Sequence, residues 1–221
     1  MRRRAPLVLA LAALLACGGP ALHIRPSARS FTPEDYERVY QSWTREADEF
    51  AFGRLESMIH VTATFESWEF RWAYVVRYAS DYSLRTEERT RLLRSSLADA
   101  QERHRFLVTL AGNIFRESDL TDERSAWRVL VVDADGRQSR PIEVQRLRRP
   151  GAAERVYFPS VSPQRQIFRI AFPTQHRDGT PVIAPDARHV LLRFTGPEGR
   201  VDLRWDFSPA PGNDAPPVLP D

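Results

Sequence analysis

The chain has 221 residues, 42% of them hydrophobic and 10% aromatic, enough to bury one core of good size or two small ones. Every one of its 32 basic residues is arginine, which excludes Schiff-base and P-loop lysine chemistry. Three of these are Arg2, Arg3 and Arg4; the remaining chain balances 29 basic against 29 acidic residues, so it lacks the net basic footprint of a general nucleic-acid binder.

The N-terminus comes first. Arg2, Arg3 and Arg4 precede an uncharged run of mostly Leu, Ala and Val from Ala5 to Ala16. A basic head and a short apolar run form the pattern of a signal peptide. The run falls short of the roughly 20 apolar residues needed to cross a bilayer. It ends Leu14-Leu15-Ala16-Cys17, and Cys17 is the only cysteine of the chain. This ending resembles the lipobox of bacterial lipoprotein precursors. The resemblance covers residues 1–17, and the rest of the chain has the general look of envelope lipoproteins without pointing to a family of known function. It implies cleavage after Ala16 and acyl chains on Cys17, which would hold the protein to a membrane. In such lipoproteins an Asp after the cysteine signals inner-membrane retention. Gly18 stands there instead, which points to the outer membrane. Residues 17–31 then read as a lipid tether and 32–207 as a single domain.

A helix is expected from Thr32, a good N-cap followed by Pro33, Glu34 and Asp35. Tyr36, Val39, Tyr40, Trp43, Ala47, Phe50 and Ala51 share one helical face, and Gly53 is its stop. Leu55 to Phe65 alternates apolar and polar residues and predicts a half-buried strand. Glu66 to Tyr82 is the most aromatic stretch and is read as a helix. Thr86 caps a second one, whose apolar residues Leu93, Leu97, Ala100, His104, Leu107 and Ala111 recur in steps of four and three up to Gly112-Asn113. The two would pack as an antiparallel pair, forming a helical insertion over about residues 66–125.

From Trp127 the character is β. Trp127 to Val132 is a strand, Asp135-Gly136 a turn, and Pro141 to Leu147 its expected partner. Arg155 to Phe158 and Gln166 to Phe172 read as two more strands. Val190 to Thr195 and Arg200 to Phe207 form a hairpin around Gly196-Pro197-Glu198-Gly199. Its register predicts Phe194 opposite Val201, Leu192 opposite Leu203, Val190 opposite Trp205 and Arg193 opposite Asp202. Residues 208–221 are rich in Pro, Asp and Ala and read as a disordered tail.

These elements place the chain in the α+β class. The expected fold is an immunoglobulin-like antiparallel β-sandwich of about seven strands, with an N-terminal helix and an inserted antiparallel helix pair. A helical domain beside a separate sheet is the alternative.

Chemistry-bearing motifs are sparse. The histidines His23, His60, His104, His176 and His189 lack metal-ligand spacing. Asp133-Ala134-Asp135-Gly136 opens like a calcium loop, but Val144 stands where the loop needs a glutamate. A hairpin turn explains those residues. Glu66 and Glu69 are acids three apart on a helix, without a cleft between them in view. Neither a nucleophile elbow nor a Gly-rich phosphate loop is present. No metal or cofactor is therefore expected.

Two features are candidates for an interaction surface. Trp68, Trp72 and Tyr78 could floor a ligand groove or a protein interface, although helical spacing alone equally places such residues in a core. Arg146, Arg148 and Arg149 could meet anionic headgroups, or form a solvated loop between Glu143 and Glu154. The functional expectation is a membrane-anchored, non-enzymatic binding or structural module whose partners are the membrane, through its lipid, and another envelope protein. A periplasmic hydrolase with an unrecognised site and a small apolar-ligand binder are the alternatives.

Overall fold

In a computed structural model describing residues 22–27, 29–51 and 56–208, the chain is a mixed α/β protein with antiparallel sheets of five and four strands and four helices. The leader, Cys17, Gly53, Leu55 and the Pro-rich tail beyond Ser208 lie outside the described residues. No helix among the described residues is long and apolar enough to cross a membrane.

A single 3₁₀ turn at Pro33–Asp35 leads into α1, Tyr36–Trp43. Asp35 accepts the Thr32 backbone N–H at 2.9 Å, satisfying one donor at the helix start. α1 ends after two turns, and the chain continues as strand β1, Thr44–Ala51. The expected helix to Ala51 is thus corrected. Ala47, Phe50 and Ala51 keep helical spacing, but β1 pairs antiparallel with β2, Glu56–Phe65, from Thr44↔Thr64 to Ala51↔Glu56. Strand pairing overrides local periodicity there.

α2, Trp68–Asp81, and α3, Thr86–Glu102, follow the two expected helices, except that α3 is shorter and its N-cap is Arg85, with Thr86 the first helical residue. His104, Leu107 and Ala111 lie on strand β3, Arg103–Gly112, not on the helix seam. β3 occupies the middle of the larger sheet, whose order is β1-β2-β3-β7-β6. Both of its faces are covered: Phe106, Val108 and Leu110 are buried on one, Leu107 and Thr109 on the other. That two-sided burial erases the alternation that would have marked it as a strand.

β4, Arg128–Val132, turns at Asp133–Gly136 into the short β5, Gln138–Ser139. The Asp133 carboxylate accepts the Asp135 and Arg137 backbone N–H groups at 3.0 and 2.8 Å, and Gly136 has φ +84°, so these residues form a turn. β6, Glu143–Arg146, pairs with β7, Gln166–Pro173, in the other sheet, so the expected pairing of 141–147 with 127–132 is wrong. The strand expected over 155–158 is also corrected. Those residues end α4, Ala152–Tyr157, whose Glu154 accepts the Gly151 N–H at 2.9 Å.

The smaller sheet runs β5-β4-β8-β9, with β8 at His189–Gly196 and β9 at Gly199–Asp206. All four pairs predicted for the hairpin are present, including Arg193 on Asp202 through two bonds of 2.7 and 2.8 Å. Trp205 of this sheet meets Phe106 and Phe65 of the larger one, with ring centroids 5.5 and 6.2 Å apart. Both sheets therefore contribute to one apolar core, which extends to Leu22. Leu22 bridges Phe207 in parallel, and the His23 carbonyl accepts the Trp68 indole N–H at 3.0 Å. Part of the expected tether is thus bound to the domain.

Candidate functional site

The junction between β2 and α2 is built around charge. The Glu66 backbone N–H donates to the Arg105 carbonyl at 2.8 Å, and Ser67 caps α2 by accepting the Phe70 N–H at 3.2 Å. Arg71, one turn into α2, is buried. Its guanidinium donates to the Glu66 carbonyl at 2.8 Å, the Ser96 carbonyl at 3.0 Å and the Asp99 carboxylate at 2.6 Å. This arginine ties the start of α2 to the last turns of α3. The two glutamates flagged by sequence diverge. Glu66 lies 3.8 Å from Arg71 and 3.7 Å from Arg169, whereas Glu69 accepts the Trp43 indole N–H at 2.9 Å and pairs with Arg29. They are buried counter-charges rather than an acid–base pair.

Above this junction opens a groove of about 680 Å³. The strap Ile24-Arg25-Pro26 forms one wall and the final turns of α3, with Arg94, Leu97 and Gln101, another. Phe65 to Trp68 and the start of β3 with Arg103 and His104 line it further, and the β7–β8 connection closes it with Ile183 and four other residues. Its size and apolar lining fall within the range of small-molecule sites, roughly 300–1,000 Å³.

His104 lines this groove from the start of β3. Its ring packs edge-on to Phe65, with centroids 6.0 Å apart, and its Nε2 is buried without a hydrogen-bond partner. Burial, helped by the Arg71 guanidinium, pushes its pKa down to about 4, so the ring is neutral near pH 7. An unpaired buried nitrogen costs free energy unless something comes to satisfy it.

The candidate surface residues do not form one patch. Trp68 is buried and lines the groove. Trp72 is buried with Val75 and Leu93 between the helices, so it is core. Tyr78 is half-buried and stacks between Tyr74 and Tyr82, at 5.9 and 4.4 Å, in a separate aromatic cluster. Arg146 is engaged by Asp119 at 2.5 Å and lies over the Phe115 ring, whereas Arg148 and Arg149 are exposed. The three arginines are therefore not a common cluster. Trp72 thus packs in the core, and Arg146 is part-buried in an ion pair.

One constellation escaped sequence reading because its members are far apart in the chain. The Ser139 hydroxyl lies 3.2 Å from His176 Nδ1, and His176 Nε2 lies 3.6 Å from the Asp133 carboxylate. The types match a hydrolytic triad, but the second distance is too long for a hydrogen bond. Ser139 is also buried, and Asp133 is committed to the turn amides. The group joins the β4–β5 turn to the loop after β7. His104 was noted in sequence, but its place in a groove was not: that depends on the strap and the β7–β8 connection meeting α3.

Comparison with family models, with curated proteins and with solved structures finds no match to any of them.

Proposed function

We propose that the protein is a non-enzymatic, lipid-anchored binding module of the bacterial cell envelope, and that the groove between the strap, α3 and β3 is its binding site. The observation that carries the binding role is the groove itself, 680 Å³ of largely apolar lining around an unsatisfied His104 nitrogen. The lipid anchor rests on the leader pattern and on Leu14-Leu15-Ala16-Cys17, and the outer membrane on Gly18. Contact between the two sheets through Trp205 supports an immunoglobulin-like sandwich arrangement.

The test is direct. The protein is purified from envelopes and its bound small molecules are extracted into organic solvent and weighed by mass spectrometry. A Leu97→Arg variant, which puts a charge into the groove wall, is treated alike. A near-stoichiometric apolar molecule released by the native protein and missing from the variant supports the reading. Identical extracts from both would contradict it.

A further inference from the structure

We infer that the groove takes a single-chain carboxylic acid, its head group between Arg94 and the His104 Nε2 and its hydrocarbon chain along Phe65, Trp68, Leu97 and Ile183. This rests on the groove being the binding site and names its ligand class. Two independent observations specify the head group. The first is the buried, unpartnered His104 Nε2 on the groove lining, which offers a hydrogen bond that no protein group takes. The second is the balance of charge. Glu66, the carboxylate of the lining, is matched by Arg71 and Arg169, and Arg103 is held by Asp99 at 3.2 Å and Glu143 at 3.4 Å. Arg94 is exposed on the wall and has no ion pair among the described residues. The uncompensated charge is therefore positive, and the complementary ligand is an anion.

The walls specify the tail. A small polar anion would leave the Phe65, Trp68, Leu97 and Ile183 surfaces against water, whereas a hydrocarbon chain covers them. A cationic amphiphile would face Arg94 without a counter-charge.

Trp68 makes the inference testable by fluorescence, because bromine quenches indole emission at contact. The full chain carrying Cys17→Ser, which cannot bear an acyl group of its own on that residue, is titrated with ω-bromododecanoic acid. Its methyl ester and a brominated lysophospholipid are titrated in parallel. The expected result is saturable quenching by the acid, largely lost in Trp68→Phe, with the ester binding at least tenfold more weakly. Arg94→Ala, an exposed site where folding is not at stake, removes that preference. Equal binding of acid and ester would overturn the carboxylate assignment while leaving the groove as a binding site. Preference for the lysophospholipid would overturn it in favour of a phosphate head group. Absence of quenching by all three would remove both the ligand class and the site.

Discussion

His104 carries most of the chemistry that the fold makes unusual. Its pKa is about 4 in the folded chain and 6.5 when free, so between these values the unfolded chain binds the proton and the folded chain resists it. Stability is therefore full above pH 6.5 and declines as pH falls towards 4, by about 3 kcal/mol in all. Urea midpoints at pH 7 and pH 4.5 measure the decline, and His104→Gln should flatten it. The lowered carboxyls Asp35, Asp81 and Asp119 add to the loss only at lower pH. Arg71 is the second residue that matters. Replacing it with Ala removes the Arg71 hydrogen bonds to the Glu66 and Ser96 carbonyls and leaves Asp99 with Arg103 and Arg105, at a cost of about 2–3 kcal/mol by urea denaturation. Arg71→Lys should recover only part of this, since one ammonium cannot span three acceptors. Neither role was legible in the sequence. Arg71 sits inside an aromatic helix where an arginine reads as solvated, and the isolation of His104 Nε2 depends on residues from distant segments.

At the scale of elements, sequence was most informative where one face of a strand is buried. β8 and β9 alternate between buried and more exposed residues, and the hairpin register followed from apolar and charged partners agreeing; β2 alternates apolar and polar residues in sequence although Thr62 and Thr64 are buried too. It was least informative where a helix passes straight into a strand. α1 into β1 and α3 into β3 have no glycine or proline between them, so helical spacing ran on past the true boundary. Two-sided burial of β3 concealed its period, and the six-residue α4 was too short to show one. The turn glycines separate two kinds of constraint. A Cβ on Gly196 would lie 1.7 Å from the Ala126 carbonyl oxygen, so Gly196→Ala must push backbone apart and should cost about 2–3 kcal/mol. Gly179, at φ +81° with open space around it, should lose only about 1 kcal/mol as alanine. Thermal or urea unfolding of the two variants side by side checks the order.

For the whole molecule, the strap links location to binding. Ile24, Arg25 and Pro26 wall the groove, and Leu22 is fixed to Phe207 only five positions after the expected lipid site. An acylated Cys17 would thus hold the groove close to a bilayer, since the intervening chain reaches at most about 17 Å. Cys17→Ser should move the protein from the membrane to the soluble fraction and abolish incorporation of labelled palmitate; an unchanged distribution would remove the anchor. The binding claim has its own measurement. With Cys17 replaced by Ser, Leu97→Cys places the sole thiol of the chain on the groove wall, and Leu93→Cys, one turn earlier in the core, serves as the buried control. The rate of modification by a bulky thiol reagent is followed with and without dodecanoic acid. The prediction is rapid modification at position 97 that slows several-fold with the acid, against slow modification at 93 throughout. A rate at 97 indifferent to the acid would contradict a ligand site in this groove.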